Sequence, residues 1–298
     1  MRGGRSVPSL RRGTSIDRRR PALAFFILAL IAGAVLLFRV APTQMVRSPQ
    51  GAIEFQRWKN RTLHGLGFDL PGTPDLDNLP GRLAEHGLEL GAPIFIRIFK
   101  REFELEVWLR RDGRFERFAT YPVCRYSGGL GPKLHTGDKQ APEGVYTVDA
   151  RALNPQSRWH RSFNLGFPNA YDRAHGRTGS FLMVHGGCSS VGCYAMTNAV
   201  IDEIWALVGA ALKQGQPRFQ VQVLPFRLTD ANMAAASGAG AEDFWSQLKA
   251  ASDLFEADRV PPRPLVCRGR YVFEAAGKIR DGSSPVEVGC PQSKSGRS

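Results

Sequence analysis

Histidine, cysteine and acidic side chains are all scarce in this sequence. Its 298 residues include six histidines and five cysteines, and 27 acidic residues stand against 40 lysines and arginines. A structural zinc site needs four ligands, which normally come as two closely spaced pairs. His185, Cys188 and Cys193 form one candidate group, but no second pair stands near them. The shortage of ligands argues against a structural zinc site.

The shortage of acidic residues leaves a net charge of +13. Seven arginines against Asp17 alone place +6 of this charge in the first twenty residues. The remaining, mildly basic body suits an acidic polymer, an anionic membrane surface or nucleic acid equally well. An arginine-rich surface without any such partner explains the charge as readily, so charge alone does not choose among these classes.

Polar side chains are missing altogether from residues 22–38. An apolar run of this length after a basic tail is either a cleaved signal peptide or an uncleaved anchor, and it reaches the lower limit for a spanning helix. Arg39 follows at once, and no small-x-small cleavage pattern is present. We therefore predict a signal anchor, with the arginine tail in the cytoplasm and the body on the outer side of the membrane. Release after signal cleavage is the alternative.

The body alternates apolar and polar residues in several short runs. The runs at 93–100, 103–110 and 114–123 have period two and are separated by turn signals, which predicts antiparallel strands. Further strands are expected at 144–148, 162–165, 179–184 and 218–226, and helices at 52–59, 79–88, 200–212 and 242–256. Two glycine- and proline-rich stretches, 127–144 and 164–179, are predicted to be long functional loops.

These patterns divide the chain into five parts. They are a basic tail (1–21), a membrane helix (22–38), a tether with short helices (39–90), a catalytic domain (91–227), and a C-terminal helical extension with a disordered end (228–298).

The stretch GSFLMVHGGCSSVGCYAMTN, residues 179–198, is the densest in reactive side chains. A metal site would lack ligands, as argued above. A Cys188–Cys193 disulfide would close a very short, flexible loop and would leave His185 unexplained. The third interpretation makes Cys193 a nucleophile and His185 its base.

The nucleophile interpretation accounts for more of these residues than the other two. Cys193 precedes a predicted helix, whose dipole is expected to lower the pKa of the thiol. Gly192 lets a carbonyl approach, and the amides around it are candidate oxyanion donors. His185 ends an apolar strand, and no Asp or Asn stands where it would orient the imidazole. The carbonyl of Gly186 is therefore the candidate acceptor for the second imidazole N–H.

At this point the sequence resembles a known family. The motif HGGCSSVGC, together with APEG, LNP, FNLGFPNAYDRA and GRTGS upstream, resembles the L,D-transpeptidase (YkuD-type) catalytic domain of peptidoglycan enzymes, specifically its YafK-like branch. The likeness extends over residues 80–265. It implies a mixed, β-rich α+β fold: a β-sandwich-like catalytic domain with a few helices, preceded here by the N-terminal membrane or signal helix.

The resemblance also implies roles. Cys193 matches the family nucleophile and His185 its base, while Ser190, Gly192 and Gly186 match the family's small residues. The expected partners are peptidoglycan stem peptides that contain meso-diaminopimelate, and possible further substrates are lipoproteins linked to peptidoglycan. Neither a metal, another cofactor nor a nucleic acid is implied. Arg173, Arg177 and Tyr171 are candidates for substrate binding, alongside the weaker candidates His160 and His175.

Two departures from the wider family bear on the reaction. Val191 stands where that family has a second histidine, and Ala195 replaces a polar residue. Both changes remove groups that could position an amine acceptor, so we favour hydrolysis of an amide on diaminopimelate over cross-linking. A non-catalytic peptidoglycan-binding module is the alternative function.

The remaining cysteines complete the predictions. An odd count in an oxidising compartment leaves at least one unpaired thiol. We expect Cys267 and Cys290, both in the C-terminal extension, to form a disulfide. Cys124 is then expected to be a buried, unreactive thiol.

Overall fold

The computed structural model describes residues 48–277 and 280–291. The predicted cytoplasmic tail, the predicted membrane helix at 22–38 and the predicted disordered end at 293–298 lie outside these residues. Within the described ranges, no helix is both long and apolar enough to cross a membrane.

The chain divides into two compact units, residues 1–55 and 56–298. The boundary falls within the first helix, α1 (Pro49–Gly65). In the described part of the first unit, the Gly51 amide donates to Ser48 Oγ (3.0 Å) and Gln50 Nε2 donates to Glu54 Oε1 (3.1 Å). These local bonds begin the helix. All further elements belong to the second unit.

The second unit is built on a five-stranded sheet of regular strands. Its order is β3-β2-β1-β10-β5, with strands β1 (Ile94–Phe99), β2 (Glu104–Arg111), β3 (Arg114–Pro122), β5 (Gly144–Asp149) and β10 (Arg218–Leu224). Only β1 and β10 are parallel neighbours among these pairs. All six residues of β1 are buried because the sheet is covered on both faces.

The second five-stranded sheet consists of much shorter strands. Its order is β4-β9-β8-β7-β6, formed by β4 (Arg125–Tyr126), β6 (Leu153–Ser157), β7 (His160–Asn164), β8 (Met183–His185) and β9 (Tyr194–Ala195). Here β8 and β9 are the parallel pair. Phe163 of β7 packs edge-on against Phe219 of β10 at 5.6 Å between ring centroids, so aromatic side chains join the two sheets.

Five more α-helices lie in the described part of the second unit. They are α2 (Leu79–Glu85), α3 (Ala170–Ala174), α4 (Asn198–Lys213), α5 (Asp230–Ala235) and α6 (Glu242–Asp258). Thr197 caps α4 through the Val200 amide, and the apolar face of α4 packs on β7 and β1. On α6, Phe255 stacks with Phe95 of β1 at 4.7 Å, so this helix covers the opposite face of the first sheet.

A small third sheet follows α6. Its order is β12-β11-β13, from β11 (Arg263–Cys267), β12 (Arg270–Glu274) and β13 (Glu287–Val288). Val266 and Tyr271 share one apolar cluster with Trp245 of α6 and Phe99 of β1. Helix α6 and strands β11 and β12 therefore contribute to the core of this unit.

The mixed, sheet-rich α+β architecture with few helices agrees with the prediction, and so do the long strands and helices. Three details differ. The strand expected over 179–184 begins only at Met183, because Gly179 and Phe181 both have positive φ and interrupt the extended backbone. The predicted loop 164–179 contains α3, which Asn169 and Asp172 stabilise with a capping box. The two-residue strands β4 and β9 carry too little periodicity to be recognised from sequence.

Candidate active site

The parallel pair β8 and β9 brings the segments of His185 and Cys193 together in the second sheet. Val184 pairs with Tyr194 and His185 with Ala195, and Cys193 immediately precedes β9. The Cys193 Sγ accepts from the amide of Met183, the first residue of β8. His185 lies two residues further along the same strand. The thiol is therefore held against the strand that ends at the histidine.

The His185 imidazole is held in one orientation. Its Nδ1 lies 2.6 Å from the carbonyl oxygen of Gly186, as the sequence predicted. A carbonyl only accepts, so Nδ1 carries the proton and Nε2 is left with its lone pair. The side chain is 2% exposed, and the Trp159 ring covers it at 6.0 Å between centroids. Burial lowers the pKa of His185 below its ordinary value, opposed by the hydrogen bond to Gly186, so the neutral base is favoured.

The Cys193 thiol is a protonated, buried group. It is 8% exposed, and its Sγ accepts from the Met183 amide (3.4 Å) and donates to the carbonyl of Phe181 (3.6 Å). Burial raises the pKa of Cys193 above its ordinary value, although the Met183 amide and the nearby Lys133 act in the opposite direction. The expectation of a lowered pKa was wrong. Helix α4 begins five residues later, and burial outweighs any effect of its dipole.

Ser190 holds the backbone of Cys193, the predicted nucleophile. Its Oγ accepts from the Cys193 amide (3.0 Å) and donates to the Cys193 carbonyl (2.7 Å), and it also lies 3.0 Å from Ser127 Oγ. The Cys193 amide is thus already bonded to Ser190 and can serve an oxyanion only by exchanging that partner. Gly192 has φ +101°, a conformation that residues with side chains rarely adopt, so glycine is favoured at this position.

The cysteine pairing confirms one part of the prediction and contradicts another. Cys267 and Cys290 form the expected disulfide, with Cα atoms 4.7 Å apart. Cys124 is not a free thiol but is bridged to Cys188, with Cα atoms 5.3 Å apart. The bridge forms because Cys124 immediately precedes β4, which pairs with β9 just beyond the Cys188 segment. Sequence separation gives no sign of this pairing.

The disulfides leave Cys193 as the free cysteine. Cys188 is then not available as a metal ligand, which removes the zinc interpretation of the stretch. Among residues 48–277 and 280–291, no group of three or more His, Cys, Asp or Glu side chains has the arrangement of a metal site.

The glycine-rich loop between β4 and β5 lies against the site and is held by ionic contacts. Asp138 accepts from Lys133 Nζ (2.5 Å) and from the amides of Leu134, His135 and Gln140. Burial alone would raise the pKa of Asp138, but these donors outweigh it and lower the pKa to about 2. The loop end is fixed by Glu143, which accepts from Lys100, Gly131 and Trp245 in the core. The loop is therefore ordered, unlike a mobile surface connection.

The three candidate substrate residues are not gathered around the thiol. Arg177 is buried and paired with Asp172 at 2.9 Å, so a substrate carboxylate would have to compete with that partner. Arg173 is exposed and donates to the Pro168 carbonyl. Tyr171 and Arg177 line a cavity of about 710 Å³ together with His135, Gln140 and Phe244. Of the weaker candidates, His160 bonds Asp202 and His175 bonds the carbonyl of Gly269.

Four residues that the sequence did not single out also lie at the candidate site. Trp159 packs on His185, and the Phe181 carbonyl accepts from Cys193. Lys133 acts electrostatically on Cys193, and Ser127 is bonded to Ser190. Lys133 belongs to the glycine-rich loop that the sequence marked as functional, so that signal was available. Trp159 and Phe181 reach the site only through strand pairing, and nothing local in the sequence indicates it.

Comparison with known proteins gives consistent matches. The model of the L,D-transpeptidase catalytic domain (YkuD) matches residues 94–223. "Putative L,D-transpeptidase YafK" of Escherichia coli K12 is 50% identical over 183 residues, which cover 61% of this chain and 74% of that protein, and its counterpart in strain O157:H7 gives the same values.

Some solved structures match part of this chain. The helical cell shape determining protein Pgp2 of Campylobacter jejuni matches with a TM-score of 0.37 and 19% identity, covering 60% of this chain and 67% of that one. Bd1075 of Bdellovibrio bacteriovorus matches with a TM-score of 0.33 and 17% identity, covering 55% and 56%.

Proposed function

Because this chain belongs to the L,D-transpeptidase (YkuD-type) catalytic-domain family, we propose that it is a cysteine-dependent peptidoglycan enzyme that acts at meso-diaminopimelate of stem peptides. The observation that carries the proposal is that the Cys193 thiol is bonded to Met183, two residues before His185 on the same strand, with the imidazole Nδ1 bonded to Gly186 and Nε2 free to take a proton. A buried thiol close to the strand position of a fixed neutral imidazole fits nucleophilic catalysis by cysteine.

The acylation step follows from this arrangement. Cys193 Sγ attacks the carbonyl carbon of the amide at diaminopimelate while its proton passes to His185 Nε2. The C–O double bond opens to an oxyanion beside the Gly192–Cys193 backbone. When the oxyanion collapses, the C–N bond breaks and the Nε2 proton goes to the leaving amine. The products are a free amine and a thioester on Cys193.

Deacylation repeats the same reaction steps with a new nucleophile. Water or an amine attacks the thioester carbon, its proton passes to His185 Nε2, and the C–S bond breaks. The proton then returns to Sγ, which restores the thiol. Because thiol and imidazole are both neutral at rest, proton transfer accompanies attack instead of preceding it.

We favour water over an amine as the acceptor. Val191 is 77% exposed two residues before the thiol, and Ala195 is buried, so neither offers an incoming amine a polar contact. On this view the enzyme is an amidase that can release proteins attached to diaminopimelate. A stem-peptide donor given a large excess of a D-amino acid tests the point. Free acid should exceed the amine adduct, and a dominant adduct would make the enzyme a transpeptidase.

The decisive experiment for the function itself is digestion of purified sacculi, with and without attached lipoprotein. Mass analysis of the released muropeptides should show cleavage or exchange at diaminopimelate by the wild type and none by Cys193→Ala. A protein that binds sacculi, releases nothing and leaves Cys193 unreactive toward a thiol probe would instead be the non-catalytic binding module.

The proposed location is the periplasm, with the chain anchored in the inner membrane by residues 22–38. Support comes from the sequence alone: seven arginines precede an apolar run that lacks a cleavage pattern. N-terminal sequencing of the mature protein tests the anchor. A mature N-terminus near residue 42 would show that the segment is a cleaved signal peptide.

A further inference from the structure

The Cys124–Cys188 disulfide lies inside the catalytic segment itself. Cys188 stands in the segment that joins His185 to Cys193, and Cys124 lies 64 positions earlier in the chain. Both residues are buried. The segment is otherwise rich in glycine, with Gly186, Gly187 and Gly192. Such a sequence does not hold one conformation without an external constraint.

On one side, the bridge is linked to the nucleophile through two serines. Ser190 follows Cys188 by two residues and Ser127 follows Cys124 by three, and the two hydroxyls lie 3.0 Å apart. Ser190 in turn bonds both the amide and the carbonyl of Cys193. The disulfide and the serine pair therefore close a small ring that ends at the backbone of the nucleophile.

On the other side, the bridge is linked to the histidine. Cys188 has φ +47°, a left-handed conformation that is unfavourable for a residue other than glycine, and its amide donates to the Met196 carbonyl (3.0 Å). The Met196 amide donates to the His185 carbonyl (2.7 Å). The bridge thus holds a strained turn whose bonds reach the base of the catalytic pair.

The opposite end of the bridge is rigid. Asn60 Nδ2 donates to the carbonyls of Val123 (3.1 Å) and Cys124 (3.2 Å). Leu63 and Leu70 pack against both sulfur-bearing residues. Cys124 is therefore a fixed point in the core, against which the glycine-rich segment is held.

We propose that the Cys124–Cys188 disulfide is a positioning element that holds Ser190, and through it the Cys193 thiol, in the geometry for attack. Catalytic turnover then depends on an intact bridge, although neither sulfur touches the substrate. The turnover readout rests on the function proposed above. A misplacement of about 1 Å at a reacting atom can reduce a rate by about 100-fold, so a loosened segment has a large effect on chemistry.

The test compares the two disulfides. The double variant Cys124→Ala/Cys188→Ala removes this bridge without leaving an odd thiol, and Cys267→Ala/Cys290→Ala removes the bridge of the third sheet as a matched control. We expect kcat on sacculi to fall by about 10- to 100-fold in the first variant, with KM changed by less than about threefold. The control should keep the wild-type kcat. Equal kcat in both double variants would overturn the proposal.

A second measurement does not need turnover. Alkylation of Cys193 by iodoacetamide should become about tenfold faster when Cys124→Ala/Cys188→Ala frees the segment, and should keep the wild-type rate in the control. If the wild type releases no muropeptide but the alkylation rates differ as expected, the proposed function fails and the positioning role stands. Identical alkylation rates in all three proteins would overturn the positioning role.

Reduction of folded protein covers the case in which the double variant does not fold. In the Cys267→Ala/Cys290→Ala protein, the bridge at Cys124 is the remaining disulfide. A water-soluble phosphine reduces it, since the phosphine gains an oxygen from water and the two sulfurs become thiols. Alkylation of Cys193 should then accelerate about tenfold, and an unchanged rate would contradict the proposal.

Discussion

The two five-stranded sheets are built from strands of very different length. The sheet with long strands forms the stable core, and the sheet with short strands carries the proposed active site. The first sheet has strands of six to nine residues and carries the large buried aromatics of the core. The second has strands of two to five residues and carries His185 at the end of β8 and Cys193 immediately before β9. Long strands are stabilised by their own ladders. Short strands form few ladder bonds, so serine hydroxyls, a disulfide and neighbouring loops hold their backbone and side chains. A reactive group can be placed among such short strands.

The largest expected effect lies in the second sheet. Cys193→Ala should reduce turnover of sacculi by about 10⁴-fold or more, because no other thiol remains to form the thioester. Mass analysis of released muropeptides measures the loss, and the thermal midpoint should stay close to that of the wild type. Substantial turnover in this variant would contradict the assignment of the nucleophile.

The matching change in the first sheet should act on stability instead. Phe95→Ala removes a fully buried ring that packs on Phe115 and Phe255, so the free energy of unfolding should fall by about 3–5 kcal/mol. Urea denaturation measures it. The folded fraction should turn over sacculi at the wild-type rate. A folded variant with lost activity would show that the two sheets are not separable in this way.

Ser190→Ala tests whether a serine hydroxyl of the second sheet positions Cys193. The change leaves the Cys193 amide without its partner and should lower kcat by about 10- to 100-fold, equivalent to about 1.4–2.7 kcal/mol. Ser162→Ala is the matched control, because this buried hydroxyl in β7 makes no hydrogen bond within the described residues. Equal activity of the two variants would mean that Ser190 does not position the nucleophile.

The neutral pair also predicts the dependence of activity on pH. The pKa of His185 is lowered from 6.5, so the acid limb of kcat/KM should lie below pH 6.5, where protonation removes the base. The pKa of Cys193 is raised from 9.0, so the alkaline limb and the rise in iodoacetamide alkylation should lie above pH 9. A pH series of both rates measures this. If the alkylation rate already reaches its plateau below pH 9, Cys193 is a thiolate in the resting enzyme.

The smallest effect is expected from the glycine-rich loop beside the site. The pKa of Asp138 is lowered from 3.8 to about 2, so its stabilising contribution is present above pH 3.8 and is lost as the pH falls through about 2. Asp138→Asn should therefore lower stability by about 1 kcal/mol at neutral pH and by nothing near pH 1. Thermal melts at both pH values test it, with Asp253→Asn, a change at an exposed side chain of α6, as the control.

The long elements and the acceptor of the imidazole proton were predictable from sequence for clear reasons. Strands β1, β2 and β3 have strong period-two patterns, and α4 has a cap and an apolar face, so local rules suffice. The Gly186 carbonyl was predicted as the acceptor because His185 and Gly186 are neighbours in the chain. The roles of Cys193 and His185 as nucleophile and base stay predictions from the motif around them. The pKa of the thiol was predicted in the wrong direction, since burial depends on residues far away in the chain.

The regular sheet and the family could be read from local periodicity and from one short motif, and the same motif predicts the reactive pair. Three contacts could not be predicted in this way: the Cys124–Cys188 bridge, the contact of Ser127 with Ser190, and the packing of Trp159 on His185. These contacts join segments that are tens of residues apart through strands of two to five residues. Such strands have too few residues to encode their partner, and their pairing is set by the packing of the whole unit.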